Sequence, residues 1–187
     1  MPQFSPKRVP KPLDAPRLEE LALAYVARFA TSAAKLEGYL RRKLRERGWD
    51  GVEEPALPAL VERFVHAGYI DDRAFAIAKA GGLLRRGYGG RRIDQALGAA
   101  GIAEDLREEA RGSALAQRQA ALALARKRKF GPFGLSGPAS GLERAVREKQ
   151  VAAMLRAGHP LDSVRRIVNA DNISALEEWA EADSERT

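Results

Sequence analysis

Apolar residues along this chain recur mainly three and four positions apart, the spacing of one face of a helix. Leu18, Leu21, Ala22, Tyr25, Val26 and Phe29 form the first such run. Ser32 is placed to cap a second helix, in which Leu36, Leu40 and Leu44 share a face and Gly48 supplies the stop. Pro55 opens a third, carrying Leu57, Leu60, Val61, Phe64 and Val65 and ended by Gly68. The pattern then begins again. Asp71 or Asp72 heads a helix with Phe75, Ala78 and Leu83, weakened by Gly81-Gly82. A glycine-rich turn leads to Ile93, Ala96, Leu97 and Ala100, stopped by Gly101, and a short piece follows around Leu106. A third round runs from Ser113 through Leu115, Leu122 and Leu124 to Arg126–Lys129, and breaks at a loop over Phe130–Gly141 that holds four glycines and two prolines. It resumes in a helix with Val146, Val151, Met154 and Leu155, for which Ser140 and Glu143 form a capping box. The round closes on Pro160, Leu161, Val164, Ile167 and Val168.

The recurrence is visible residue by residue. Leu40, Leu44, Gly48 and Trp49 match Ile93, Leu97, Gly101 and Ile102 at a shift of 53. Val151, Leu155, Gly158 and His159 repeat the theme more loosely. Three helices per period of roughly fifty residues predict an all-α fold of tandem three-helix repeats forming an elongated, curved array. A unit this small buries little core by itself, so neighbours must share one; a single irregular bundle is the alternative. The predicted divisions are a disordered, proline-rich basic arm over 1–16, repeats over 17–70, 71–112 and 113–170, and an acidic tail or short helix over 171–187, in which Ser174 and Glu177 make a further capping box. That tail either docks on the body or competes for its basic surface.

Composition narrows the function. Aromatics are 6% of the chain and the apolar positions are mostly Ala and Leu, which suits helices better than sheets. The absence of Cys removes disulfides, thiolate zinc sites and cysteine nucleophiles. No apolar run approaches the roughly 20 residues of a membrane helix, and the N-terminus has no signal-peptide core. A cytoplasmic, monomeric protein with no membrane partner is expected. The net charge is +7; residues 1–12 carry +3 and the acidic tail −5, so the body over 13–170 carries +9.

That body charge gathers in three places. On the second helix Arg41, Arg42 and Arg45 spread over the side opposite the leucines, with Lys35, while Lys43 and Arg47 flank the stripe. Arg85, Arg86, Arg91 and Arg92 bracket the turn Gly87-Tyr88-Gly89-Gly90, which leads into a helix N-terminus. Such a turn either binds phosphate through its backbone N–H groups or is an ordinary solvated connection, and Tyr88 either stacks on a base or packs. It lacks the Gly-Lys-Ser/Thr ending of a nucleotide-binding loop, so no cofactor is assigned. Arg126, Lys127, Arg128 and Lys129 complement a helix C-terminus, yet exceed what the dipole requires. His66 and His159 lack metal-ligand spacing and are expected to cap or pack, so neither a metal site nor a catalytic residue is assigned.

The run Gly68-Tyr69-Ile70-Asp71-Asp72, followed by Phe75-Ala76, is the most distinctive stretch. Gly68 supplies the positive φ of a helix end, Tyr69 and Ile70 fold back onto the core, and Asp71 and Asp72 offer carboxylates to the N–H groups of the next helix. The pair could do acid–base work, but no nucleophile or ligand set accompanies it. With Gly87-Tyr88-Gly89, Ile93, Leu97 and Gly101-Ile102, and with Ser32, Leu36, Leu40, Leu44 and Gly48, this run resembles the RecX family of bacterial regulators of the RecA recombinase. The resemblance spans Leu18 to Asn169 and is strongest over Leu18–Ile102. Lys35 stands where the family often has an acidic residue, so the capping box of the second helix is lost.

The resemblance implies a non-enzymatic protein that binds the RecA–single-stranded DNA filament and inhibits its recombinase, ATPase and co-protease activities, modulating DNA repair and the SOS response. The three basic clusters would then meet acidic filament surface or DNA phosphate. The alternative is a protein that grips single-stranded or duplex DNA independently of RecA with the same basic faces.

Overall fold

The computed structural model describes residues 11–134 and 143–182. Among them the chain is helical, with no named strand. The helices are α1 (Ala15–Val26), α2 (Ala33–Arg47), α3 (Leu57–His66), α4 (Asp72–Arg85), α5 (Gly90–Gly98), α6 (Glu104–Ala110), α7 (Ala114–Arg128), α8 (Arg144–Arg156), α9 (Leu161–Val168) and α10 (Ile173–Glu181). The expected all-α class and helical repeat are what the structure shows. The chain divides into two compact units, residues 1–75 and 76–187, with the division inside α4.

In the first unit, α1, α2 and α3 enclose one core. Leu36 and Leu40, one turn apart on α2, are fully buried, and each contributes about 1.5–3 kcal/mol by leaving water. They pack with Leu18 and Ala22 of α1 and with Leu57, Leu60, Val61 and Phe64 of α3. Val65 and Phe29, expected on the apolar faces, are exposed: α1 ends at Val26, so Phe29 lies beyond it and rests against the Tyr25 ring.

The arm expected over 1–16 ends sooner than its prolines suggest. Residues 1–10 lie outside the described part. Leu13 is fully buried and forms a parallel bridge with Trp49, its N–H donating to the Gly48 carbonyl at 3.0 Å and its carbonyl accepting from Asp50 N–H at 2.8 Å. Asp14 then caps α1 through Oδ1, which accepts from Arg17 N–H at 3.0 Å, and Pro16 sits in the first turn, where its missing N–H costs nothing.

The Gly68–Phe75 motif does two capping jobs. Gly68, at φ 75°, reverses the chain after α3, and Tyr69 N–H donates back to the Phe64 carbonyl at 3.0 Å. Ile70 is buried, whereas Tyr69 is exposed and only leans its ring on Phe64. Asp71 caps α4 as expected, Oδ1 accepting from Ala74 N–H at 2.8 Å. Asp72 differs from the expectation. Its Oδ1 accepts from Ala33 N–H at 2.9 Å, so it satisfies the N-terminus of α2, 39 residues away. Ser32 supplies a weaker cap to Lys35 N–H at 3.4 Å, and the Lys35 ammonium lies 5.5 Å from the Phe75 ring.

In the second unit small side chains set the buried faces. On α4 the buried residues are Ala76, Ala80 and Leu83, and Ala78 is exposed. On α7 they are Ala120, Ala121, Leu122 and Ala125, with Leu115 and Leu124 only partly buried. Alanines let the axes approach closely, and α7 packs against Val164, Ile167 and Val168 of α9 and against Leu176 and Ala180 of α10. Leu83 and Leu122 are buried as expected, but alanines make up most of both buried faces, because close approach of the axes needs their small volume.

Two capping boxes are replaced. Glu143 is itself the N-cap of α8, so that helix starts three residues later than the box required; Ser140 lies outside the described residues. Asn172, not Ser174, caps the last helix, Oδ1 accepting from Ala175 N–H at 2.8 Å, and Glu177 is left free to pair with Arg126. The segment expected as a tail or short helix is therefore, up to Ala182, a helix docked on α7. Part of the expected Phe130–Gly141 loop is likewise packed: a 3-10 turn spans Gly131–Phe133, and Gly131 N–H donates to the buried Gln150 Oε1 at 2.9 Å.

Replacing Asp72 by Ala removes the cap of α2 and should lower stability to urea unfolding by about 1–2 kcal/mol, with Asp72→Asn retaining most of it. An unchanged midpoint in Asp72→Ala would refute the cross-helix cap.

Candidate functional site

The α2 cluster is exposed but partly neutralised. Arg41 is paired with Glu37, while Arg42 and Lys43 share Glu46 at 3.6 and 2.6 Å. The Glu46 carboxyl titrates below its ordinary value because Lys43 donates a hydrogen bond to it, with the charges of Lys43, Arg42 and Arg45 adding to the effect. Six basic residues against two acids still leave this helix strongly positive, with Arg45 exposed.

The glycine-rich turn does not present a phosphate cradle. Gly89 N–H donates to the Ala157 carbonyl at 2.9 Å and Arg91 N–H to the Gly158 carbonyl at 3.2 Å. Two of the backbone donors that sequence offered to an anion are thus spent on the turn between α8 and α9, while Gly87 and Tyr88 N–H donate back to the Leu84 and Leu83 carbonyls. The two turns meet so closely that a Cβ on Gly89 would strike the Gly158 carbonyl, and one on Gly158, at φ 94°, would strike the Arg92 backbone nitrogen. His159 closes the contact. Its buried ring donates through Nε2–H to the Gly87 carbonyl at 2.9 Å, and burial, opposed in part by this bond, holds its pKa below the ordinary histidine value.

This interlock gathers the side chains into a groove. Arg86 and Tyr88 from the turn after α4, Lys127, Arg128 and Phe130 from the end of α7, and Arg156 from the end of α8 line a volume of about 300 Å³. Leu124, Ala153 and Ala157 complete its wall. Four cations and two aromatic rings face this space with no carboxylate among them, and among the described residues none of the four has an acidic partner. Arg86 is held over its own turn, Nε donating to the Gly82 carbonyl at 3.1 Å, with its guanidinium 5.9 Å from the Tyr88 ring.

The predicted residues therefore separate. Arg86, Lys127 and Arg128 converge. Arg126 does not: it pairs with Glu177 and lies 5.7 Å from the Phe133 ring. Arg91 lines a smaller hollow of about 220 Å³ beside Asp94 and Arg111. Arg92 bonds Gln95 at 3.2 Å, and Arg85 and Lys129 are exposed outside the groove. Sequence reasoning missed Arg156 and Phe130. The available signal was position: Arg156 sits in a last helical turn just before a reversing glycine, as Arg86 does before Gly87.

Fold and groove together define a tandem three-helix repeat protein with a cationic, aromatic-lined cleft. Residues 71–110, which hold α4, α5 and α6, match the family model for the second three-helix domain of RecX. The regulatory protein RecX of Myxococcus xanthus is 29% identical over 174 residues, 89% of this chain and 91% of its own. A RecX of Mycobacterium sp. is 39% identical over 67 residues, 36% of this chain and 35% of that one. The crystal structure of RecX from Lactobacillus salivarius shares the fold at a TM-score of 0.63, with 17% identity, over 87% of this chain and 96% of that one. Residues 71–110 thus match a RecX domain, and the chain is similar to RecX proteins over most of its length.

Substituting Ala at Gly158 meets both the positive φ and the backbone of Arg92, and should destabilise by at least about 1 kcal/mol, read as a lower urea midpoint. For His159 the sign follows from burial. The unfolded ring binds a proton near pH 6.5 and the folded ring only at lower pH, so stability holds above about 6.5 and falls as pH drops through that value and toward the folded pKa. Urea midpoints between pH 7.5 and 5 should show this loss, and His159→Asn should remove that part of the slope.

Proposed function

We propose that this protein regulates the RecA recombinase without catalysis of its own, binding the RecA–single-stranded DNA filament and restraining strand exchange, ATP hydrolysis and co-protease activity. DNA repair and the SOS response are the processes it would modulate, acting as a monomer in the cytoplasm. Kinship with proteins named regulatory protein RecX carries the reading. The groove adds a means: cations left without acidic partners are held ready for an anion supplied from outside the chain. Arg41, Arg42 and Arg45 on α2 supply a second contact, as do Arg85, Arg91, Arg92 and Lys129, and several modest contacts on one scaffold reinforce one another.

Direct nucleic-acid binding independent of RecA is the second reading. The observation favouring it is the pair of rings, Tyr88 and Phe130, among the groove's cations.

The deciding measurement is DNA-dependent ATP hydrolysis by the cognate recombinase with this protein titrated in. Inhibition is expected well below the amount that coats the bare strand. The quadruple variant Arg86→Glu, Lys127→Glu, Arg128→Glu, Arg156→Glu should need roughly tenfold more protein or worse, since binding weakens with every phosphate the protein no longer neutralises. Unchanged hydrolysis at molar excess, with the filament demonstrably formed, would sink the regulatory reading.

A further inference from the structure

Cations alone match phosphate and carboxylate equally well, so charge does not say which anion the groove takes. The remaining lining does. Tyr88 and Phe130 bring planar rings, and Leu124, Ala153 and Ala157 bring apolar wall, to the same 300 Å³ that the four cations surround. A strand of acidic side chains has no use for rings. An unpaired nucleotide carries an anion and a planar base a fixed short distance apart, and can engage both at once. The volume lies at the small end of ligand sites, room for one base and its phosphate.

A second observation bears on this place. Several cations elsewhere are matched: Arg41 with Glu37, Arg63 with Glu19, Arg107 with Asp94, Arg126 with Glu177, Arg144 with Glu148. At the groove they are not. The Arg86 guanidinium already lies beside the Tyr88 ring, at 5.9 Å, so a phosphate on one and a base on the other would be neighbours.

We propose that this groove is a single-nucleotide site for unpaired nucleic acid, with phosphate held among Arg86, Lys127, Arg128 and Arg156 and the base stacked on Tyr88 beside Phe130. The inference deepens the functional reading above and rests on its premise that the groove meets an external anion. The shared chemistry of phosphate and base could come from a strand or from a free nucleotide.

The test uses the full chain and fluorescence anisotropy with three probes: a fluorescein-labelled 15-mer of thymidine, the same backbone without bases, and a 15-base-pair duplex. The base-bearing single strand should bind roughly 5- to 100-fold tighter than the abasic one, the range of one stacked base. Tyr88→Ala should abolish that preference, while Tyr88→Phe keeps it; thermal melting by circular dichroism checks that both are folded. Arg156→Gln should weaken both single strands alike and shallow the log–log salt dependence by about 0.7. Displacement of the oligomer by free thymidine monophosphate, abolished in Tyr88→Ala, would support the site with a free nucleotide as its source. A base preference without such displacement supports it with the strand as source. Equal affinity for base-bearing and abasic strands, an intact preference in Tyr88→Ala, or competition by polyglutamate as strong per charge as by the oligomer would overturn it. The recombinase assay separates the two claims. Base preference without any effect on ATP hydrolysis keeps the site and removes the regulatory role; inhibition that survives with no base preference does the reverse.

Discussion

The contact between two reversing turns, residues 87–91 against residues 157–159, is the constraint on which the second unit's functional face depends. Two backbone hydrogen bonds and the His159–Gly87 bond join segments about seventy residues apart, and they do so at a separation that tolerates no Cβ. Glycine is required there for approach as much as for conformation. Because the ends of α4 and α8 are fixed by this contact, and Leu124 of α7 sits against Gly87, three helix ends arrive at one place. The groove is the space they leave.

Charge is distributed with an asymmetry that the net +7 conceals. Most ion pairs among the described residues are local, three or four residues apart in sequence, and solvent screens them at the surface. Their larger effect is to cancel the field over much of the surface. Around Arg86, Lys127, Arg128 and Arg156 no carboxylate among the described residues pairs with them, and like charges set near one another there oppose folding slightly while attracting anions from solution. The docking of α10 sharpens the contrast by drawing Arg126 out of the basic run and leaving its neighbours unpaired.

The adjacent aspartates of the Gly68–Phe75 motif show how a distinctive stretch can be architectural. One carboxylate caps the helix it begins, and the other caps α2, where Lys35 leaves the capping box without its acidic member. Both charges are thereby assigned to helix N-termini, where they offset the dipole. The pairing also explains why both positions carry Asp: a longer side chain at either would place its oxygen beyond the donor it serves.

How much of this could be read in advance follows from the range over which each feature is decided. Helix count, order and period were legible, because apolar spacing, Ser and Asp caps and stop glycines act within one or two turns; so was the family resemblance, carried by a contiguous motif. The face each helix buries was legible where leucines mark it, on α2, and only in part on α4 and α7, where alanines beside Leu83 and Leu122 are buried because a neighbouring axis comes close. Ionic partners at three or four residues could be guessed; Arg126 with Glu177 and Asp72 with Ala33 could not. Local spacing and composition alone specify a basic, all-helical repeat protein with arginines beside its turns. Which of those arginines converge depends on packing, which also commits the Gly89 and Arg91 N–H groups to a second turn. Local propensity sets helices, but a groove exists only where segments distant in sequence meet, and that is settled by packing.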